Sequence, residues 1–159
     1  MIGSAGSDEK VSWLREIGFD AAFNYRAGSV VEQLRAAAPG GIDVYFDNVG
    51  GDHLEASLTV LNTYGRVAMC GAIAHYNATE PPPGPTNLGL VVSKRLTLRG
   101  FIIIDHQDRM PGMVADVSGW LREGKIAHAE TIVDGLDRAP GAFIDLLRGA
   151  NTGKMLVRL

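Results

Sequence analysis

Polar residues and glycines follow several short apolar runs of the chain, in positions where they could contact a ligand. The apolar run from Ile42 to Phe46 ends in the polar turn Asp47-Asn48-Val49-Gly50-Gly51. Lys10 follows the glycine-rich opening residues, and Tyr25 ends another apolar run. Strands of an open parallel sheet direct their C-terminal ends to one edge, where ligands bind. The spacing therefore predicts a nucleotide site built from strand-end residues.

Lys10 and Tyr25 are the candidates for the adenosine side of such a site. The strand end before Lys10 lacks the acidic side chain that binds the ribose hydroxyls of NAD. A cation fits the 2′-phosphate of NADP(H) instead, and the Tyr25 ring could lie beside the adenosine. The alternatives are a solvated helix lysine and a half-buried strand tyrosine.

The residues do not favour metal chemistry or a reactive thiol. His53, His75, His106 and His128 are scattered without ligand spacing, and a single cysteine cannot build the thiolate sites that structural zinc prefers. We therefore predict no metal. Cys70 is expected to be a small buried residue rather than a nucleophile.

Composition limits the class of protein. The chain has 159 residues, of which 46% are hydrophobic and 21% charged, as is usual for one soluble globular core. A formal net charge of −3 gives no basic field for nucleic acid. A single cysteine, no signal-peptide pattern and no apolar run of about 18 residues predict a cytoplasmic protein without a membrane span.

The elements that must position these residues alternate between strand and helix. The patterns predict, in chain order, a strand end at 1–6, a helix capped by Ser7 and ended by Gly18, a strand within Phe19–Tyr25, a helix capped by Ser29, a strand from Ile42, a helix carrying Leu54, Leu58 and Leu61, and a strand over Arg66–Cys70. The proline-dense stretch Thr79–Pro85 predicts a loop. This alternation predicts an α/β fold with a Rossmann-like, doubly wound parallel sheet.

The second half of the chain predicts a short tail after that sheet. The expected elements are a short helix over Leu88–Lys94, a strand over Leu96–Ile104, a helix over Met110–Arg122 that ends at Gly124, a strand over Thr131–Val133, a helix over Arg138–Arg148 and a strand over Lys154–Leu159. We expect domains at 1–124 and 125–159, the second a β-α-β tail. The apolar last strand predicts an unpaired edge and a homodimer.

Several short stretches of the sequence resemble those of a known family, and the resemblance covers essentially the whole chain. They are Phe46-Asp47-Asn48-Val49-Gly50-Gly51, Gly65-Arg66-Val67, and Cys70-Gly71-Ala72-Ile73 followed by Tyr76-Asn77. They resemble the zinc-independent medium-chain dehydrogenases/reductases, and are most similar to the NADPH-dependent alkenal and prostaglandin reductases and the bacterial curcumin-reductase-like proteins. Such proteins have an N-terminal catalytic domain and a first βα unit with a glycine-rich phosphate loop. The resemblance implies that this chain is the C-terminal, NADP-binding portion without that unit.

The resemblance also implies the site residues. The implied cofactor contacts are Lys10, Tyr25, Asn48, Cys70, Gly71, Ala72, Ile73, Ala74, His75, Tyr76, Phe101, Ile102, Ile103 and Asn151. From the residues alone, Asn48 and Asn151 could be turn and loop asparagines, and Phe101 to Ile103 could be core strand residues. Ser93 stands where the prostaglandin-reducing members carry a tyrosine near the substrate.

The implied activity is metal-free, NADPH-dependent reduction of the C=C bond of α,β-unsaturated ketones or aldehydes, with Tyr76 as the candidate catalytic residue. A hydrogen bond from Tyr76 or from the ribose 2′-hydroxyl would polarise the enone carbonyl. The substrate would be a small molecule. Two alternatives stay open: a non-catalytic nucleotide-binding or assembly module, and a different Rossmann-like enzyme such as a methyltransferase. We expect the chain alone to be inactive.

Overall fold

A computed structural model describes all residues, Met1–Leu159. The chain forms two compact units. Unit 1 is Met1–Gln107 and unit 2 is Asp108–Leu159. The boundary between these units lies before the predicted domain boundary at Gly124. The predicted boundary refers to the domains of the family, and it stays a prediction. None of the helices combines the length and the apolar character that a bilayer crossing requires.

Unit 1 alternates strands and helices as the sequence predicts. Its elements are β1 (Ile2–Ala5), α1 (Asp8–Glu16), β2 (Ala21–Asn24), α2 (Val30–Ala37), β3 (Ile42–Asp47), α3 (Gly51–Val60), β4 (Leu61–Met69), α4 (Gly89–Ser93) and β5 (Thr97–Gly100). A two-stranded sheet pairs β1 with β2, and a three-stranded sheet has the order β3-β4-β5. Every pairing is parallel. The prediction of a Rossmann-like α/β fold is confirmed, although the strands form two separate sheets.

Serine side chains start the first two helices. The Ser7 hydroxyl accepts a hydrogen bond from the Lys10 amide at 3.4 Å, and the Ser29 hydroxyl accepts one from the Glu32 amide at 3.5 Å. Each serine satisfies one of the amides that a helix N-terminus leaves without a partner. Gly18 follows α1 with a φ of 101°, a conformation that glycine adopts without strain. These local signals explain why both helices begin where the sequence predicts.

Two apolar clusters hold unit 1 together, and each lies between strands and helices. One contains Phe23 of β2, Leu34 and Ala38 at α2, and Ala56 and Val60 of α3, so it joins both sheets through the α2–α3 layer. The other surrounds Leu58 of α3, which is fully buried, with its members Leu54, Leu61, Val67 and Leu96. The second cluster fixes α3 on the β3-β4-β5 sheet and thereby fixes the turn before it.

Unit 2 contains the predicted β-α-β tail and one helix before it. Its elements are α5 (Met110–Arg122), β6 (Glu130–Asp134), α6 (Ala139–Leu147) and β7 (Lys154–Arg158). Strands β6 and β7 pair in parallel. Helix α5 has the predicted bounds, and Gly124 follows it with a φ of 67°.

Two predicted strand boundaries were wrong. The strand expected over Leu96–Ile104 ends at Gly100, and residues Ile103–Arg109 form 3-10 turns. The strand expected over Arg66–Cys70 is longer and begins at Leu61, because that residue leaves α3 for an extended backbone instead of continuing the helix. Period alone does not separate a helix from a strand in such a short apolar run.

Candidate cofactor site

A tyrosine and an arginine pack against the turn between β1 and α1. A Cβ atom built on Gly6 would lie 2.8 Å from the Tyr25 hydroxyl oxygen, so a side chain at Gly6 would displace Tyr25. The Arg26 guanidinium lies over the Tyr25 ring, 5.7 Å from the ring centroid. Lys10 lies in the first turn of α1, directly after this strand end. The ends of β1 and β2 therefore carry an aromatic ring and two cationic residues.

Asp8, the acidic side chain that follows β1, is hydrogen-bonded to a residue of β2. Strand β1 ends at Ala5 without a carboxylate, and Asp8 follows it in the first turn of α1. The Asp8 carboxylate accepts a hydrogen bond from the Asn24 side-chain amide at 2.8 Å. One oxygen of the Asp8 carboxylate is therefore bonded to the end of β2, and Lys10 is the cationic side chain in the same helical turn. The preference for a phosphate at Lys10 stays a prediction.

The loop Cys70–Tyr76 is bound to the turn after β3. The amides of Cys70 and Gly71 donate to the Asp47 carbonyl oxygen at 2.8 and 3.1 Å, and the Ile73 amide donates to the Asn48 carbonyl oxygen at 3.0 Å. These backbone bonds hold Asn48 and the loop together at the C-terminal ends of β3 and β4. The structure therefore brings together the sequence-predicted residues Asn48, Cys70, Gly71, Ala72, Ile73, Ala74, His75 and Tyr76.

The Tyr76 hydroxyl closes this loop from its far end. Its oxygen accepts a hydrogen bond from the Ala72 amide at 3.3 Å, and a Cβ on Gly71 would lie 3.1 Å from it. Because the hydroxyl accepts here, its own proton can still be donated to a ligand. The side chain is 65% exposed. The catalytic assignment of Tyr76 stays a prediction.

The expected burial of Cys70 was wrong, since its side chain is exposed. Strand β4 ends one residue earlier, at Met69, so Cys70 lies beyond the sheet edge instead of in the layer between sheet and helices. The three residues after β5 behave similarly. Phe101 packs its ring against Phe46 at a centroid distance of 6.0 Å, while Ile102 and Ile103 are exposed. They are therefore not the core strand residues that the sequence alone also allowed.

Asp47 organises the turn after β3, a role that the sequence reasoning missed. One carboxylate oxygen accepts hydrogen bonds from the Tyr45 hydroxyl and from the amides of Val49 and Gly50, each at 2.9 Å. Its other oxygen is buried without a hydrogen-bond partner. Burial, together with the Asp47 charge, raises the pKa of Tyr45. An aspartate at a strand end just before two glycines was the available signal.

His53 is a second residue that the sequence reasoning did not place. Its Nε2 atom lies 3.2 Å from the Ser4 hydroxyl, and its ring meets the Tyr25 ring edge-on at a centroid distance of 5.2 Å. Burial lowers the pKa of His53, partly opposed by the nearby Asp47 and Asp52 carboxylates. His53 therefore links the first turn of α3 to the ends of β1 and β2.

Asn151 is the one predicted site residue in unit 2. Its side-chain amide donates to the Gly153 carbonyl oxygen at 2.6 Å, which shapes the turn before β7. Its contact with a cofactor stays a prediction. No group of three or more His, Cys, Asp or Glu side chains is arranged to hold a metal ion.

Comparison with known proteins decides the family. Residues 1–119 match the family model described as zinc-binding dehydrogenase. The chain belongs to the zinc-binding dehydrogenase family. The match covers unit 1 and most of α5, and it confirms the resemblance to medium-chain reductases that the sequence strings carried.

Relatives within this family are reductases. The chain is 44% identical to prostaglandin reductase 1 of Rattus norvegicus over 161 residues, which are 99% of this chain and 49% of that protein. It is also 44% identical to the NADPH-dependent curcumin reductase of Escherichia coli over 165 residues, covering 100% of this chain and 48% of that protein. The chain thus spans about half the length of the curated relatives it matches.

Solved structures show the same fold. The crystal structure of CurA in complex with NADPH from Vibrio vulnificus superimposes with a TM-score of 0.91 at 42% identity, covering 99% of this chain and 48% of that chain. Escherichia coli quinone oxidoreductase complexed with NADPH gives a TM-score of 0.80 at 22% identity and is similar in fold. These family members establish the Rossmann-like architecture for the described elements.

Proposed function

We propose that this chain is the nucleotide-binding part of an NADPH-dependent reductase that reduces the C=C bond of small α,β-unsaturated ketones or aldehydes. The 44% identity to an NADPH-dependent curcumin reductase and to prostaglandin reductase 1 supports this class of reaction. Bound NADPH would supply a hydride to the β-carbon, and protonation of the α-carbon would complete the reduction.

One observation carries the choice of cofactor. Strand β1 ends without a carboxylate, Asp8 is hydrogen-bonded to Asn24, and Lys10 lies in the turn of α1 that follows. The positive N-terminal end of α1 and the Lys10 ammonium favour an anion such as a 2′-phosphate. Tyr25 would lie beside the adenosine. Arg26, which stacks on Tyr25, is a further cation for the same anion.

The other end of the cofactor would meet the loop Cys70–Tyr76 and the residues after β5. Gly71 lies close to the turn after β3, since a Cβ there would be 3.4 Å from the Asn48 carbonyl oxygen. The nicotinamide ring would lie beside these residues, and Phe101, Ile102 and Ile103 would keep water from it. The Tyr76 hydroxyl would donate a hydrogen bond to the substrate carbonyl. Its proton is available because the Ala72 amide donates to a lone pair of the same oxygen. Asn151 is retained as a further proposed contact.

The expected domains and assembly remain part of the proposal. Residues 1–124 would form the partial NADP-binding domain and 125–159 the tail that packs on a catalytic domain. A homodimer is supported by the unpaired outer edges of the β6–β7 pair, and sedimentation over a range of concentrations tests it. The single cysteine supports a cytoplasmic location.

A titration of the purified chain tests the proposal. We expect NADPH to bind more tightly than NADH, and S-adenosylmethionine not to bind, as measured by calorimetry. Tighter binding of S-adenosylmethionine would favour a methyltransferase and contradict the reductase. Binding of NADPH by a protein that stays inactive even when extended to the length of its relatives would instead favour a non-catalytic nucleotide-binding module.

A further inference from the structure

The Tyr25 side chain contacts three different parts of unit 1. Its hydroxyl oxygen lies against the turn between β1 and α1, since a Cβ atom built on Gly6 would be 2.8 Å away. The Arg26 guanidinium lies 5.7 Å from the centroid of the Tyr25 ring. The His53 ring lies 5.2 Å away, centroid to centroid, and is inclined by 76° to the Tyr25 ring. Of these three neighbours, only His53 comes from a helix, α3.

The His53 side chain is fixed both by its helix and by a hydrogen bond. It lies in the first turn of α3, and that helix is held on the sheet by Leu54 and by the fully buried Leu58. At the tip of the ring, Nε2 lies 3.2 Å from the Ser4 hydroxyl of β1. A side chain that packing and a hydrogen bond hold in one position can support a neighbouring functional side chain. His53 is placed to support Tyr25 in this way.

The backbone of Tyr25 does not by itself fix the orientation of its ring. Strand β2 ends at Asn24, so Tyr25 lies in the turn that follows. The Tyr25 amide donates to the Ala5 carbonyl oxygen at 3.1 Å, which holds the backbone but leaves the side chain a choice of rotamers. Nearly perpendicular aromatic rings at this separation attract each other. The contact with His53 therefore favours one orientation of the Tyr25 ring.

The charge state of His53 suits the support of a ring better than the binding of an anion. Burial lowers the pKa of His53 from 6.5, and the nearby Asp47 and Asp52 carboxylates oppose this shift in part. At neutral pH the ring is therefore mostly uncharged. The positive charges at this end of the sheet belong to Lys10 and Arg26. An uncharged ring near two carboxylates is not the group that attracts a phosphate.

We propose that His53 is a positioning residue for the cofactor, whose ring holds the Tyr25 ring against the turn between β1 and α1 in the orientation that meets the adenosine. This inference rests on the proposed function, in which Tyr25 lies beside the adenosine and Lys10 beside the 2′-phosphate. His53 acts through Tyr25 and has no contact of its own with the nucleotide. Because Tyr25 is already oriented before the nucleotide arrives, binding does not bear the cost of ordering that side chain.

Fluorine NMR of the chain without any nucleotide measures the orientation of the Tyr25 ring. The chain contains four tyrosines, so incorporation of meta-fluorotyrosine gives few signals, and Tyr25→Phe identifies the one from Tyr25. We expect His53→Ala to move this signal toward that of an unfolded chain, because the ring loses its support. Tyr64 is 69% exposed, and its signal is the internal reference that should not change.

Two further variants separate the ring of His53 from its hydrogen bond. His53→Phe keeps an aromatic ring and loses the bond to Ser4, whereas His53→Gln keeps a polar group and loses the ring. The probe is adenosine 2′,5′-bisphosphate, the adenosine side of NADPH, titrated by calorimetry at neutral pH. We expect the Ala and Gln variants to bind it about three- to tenfold more weakly, the range for the loss of one aromatic contact, and the Phe variant to bind it normally. His128→Ala, at an exposed histidine of unit 2, is the control.

The inference is overturned if His53→Ala leaves the fluorine signal of Tyr25 unchanged, or if binding survives in the Gln variant and is lost in the Phe variant. Circular dichroism verifies that each variant is folded. If His53→Ala does not fold, His53→Gln, which removes the ring with a smaller loss of volume, takes its place. Failure of the natural sequence to bind the bisphosphate would contradict the proposed cofactor site, and with it the role of His53. Binding that the natural sequence shows and every variant retains would contradict the role of His53 alone.

Discussion

Lys10 is the residue whose charge separates NADPH from NADH in the proposed site. It lies in the first turn of α1, after strand β1, which ends without a carboxylate. Lys10→Ala should weaken NADPH binding by about 1.5–3 kcal/mol, the usual contribution of a hydrogen bond to a charged group, and should leave NADH binding nearly unchanged. Calorimetric titration of both nucleotides measures the difference. Lys125→Ala removes an exposed lysine of unit 2 and is the control; an equal loss for both nucleotides would remove Lys10 from the site.

His53 should make the stability of unit 1 depend on pH. Burial lowers its pKa from 6.5, so the folded chain holds His53 neutral where the unfolded chain would bind a proton. The unfolded state therefore binds more protons as the pH falls below about 6.5, and the free energy of unfolding declines there. Its contribution is fully present above pH 6.5.

We expect His53→Gln to flatten the fall in stability below pH 6.5. His128→Gln changes an exposed histidine of unit 2 and is the matched control. It should leave the fall in stability below pH 6.5 unchanged. Urea unfolding followed by Trp13 fluorescence, in a Trp120→Phe background, reports on unit 1 because each unit contains one tryptophan. An unchanged pH slope in His53→Gln would show that another group causes the dependence.

At the level of elements, the sequence was sufficient where a local signal and the apolar period agreed. Ser7 and Gly18 bracket α1, and the chain forms that helix as predicted. The spacing of apolar residues predicted the wrong element at Leu61. This residue fits the apolar stripe of α3 but begins β4, because its side chain is buried in the same cluster in either conformation. The burial of Cys70 was predicted wrongly because it depends on where β4 ends.

The contacts that assemble the candidate site were less predictable than its residues. Asn48 and Gly71 were identified from strand ends and from resemblance, and the structure joins them through backbone bonds of their turns. The role of Asp47 depends on the fold of a turn with positive φ at Gly50, which no periodicity encodes. The contact of Ser4 with His53 joins residues 49 positions apart, and only tertiary packing brings such residues together.

The turn after β3 should be the most sensitive element of the site. Asp47→Ala removes a buried acceptor from the Tyr45 hydroxyl and from two backbone amides. Leaving these donors without partners should cost about 2–4 kcal/mol of the free energy of unfolding. Asp43→Ala removes an exposed carboxylate from the same strand, one that accepts from Asn62, and should cost less than about 0.5 kcal/mol. Similar losses in urea unfolding would mean that the turn is not held by Asp47.

At the scale of the whole molecule, the described residues would supply two ends of the proposed cofactor site. Unit 1 provides the Lys10 end at β1 and β2 and the loop Cys70–Tyr76 at β3 and β4. A cavity of about 560 Å³, lined by residues of β1 and β3, lies between the two sheets that carry them. In dinucleotide-binding folds the pyrophosphate is held by a glycine-rich turn and a helix N-terminus at the central strand. No strand of the described chain pairs with both β1 and β3, so no such turn is present between them.

We therefore expect the 159-residue chain alone to reduce enones far more slowly than a full-length relative. Hydride transfer requires reacting atoms roughly 3–3.5 Å apart, and positioning can contribute about 7–11 kcal/mol, so a cofactor held only at its two ends should lose most of the acceleration. The measurement is the loss of NADPH absorbance with a panel of small alkenals, with the Escherichia coli curcumin reductase as the positive control. A rate at least about a hundredfold below that control is expected. Comparable turnover would show that the described residues already contain the complete site, with Tyr76→Phe then distinguishing whether its hydroxyl polarises the substrate carbonyl.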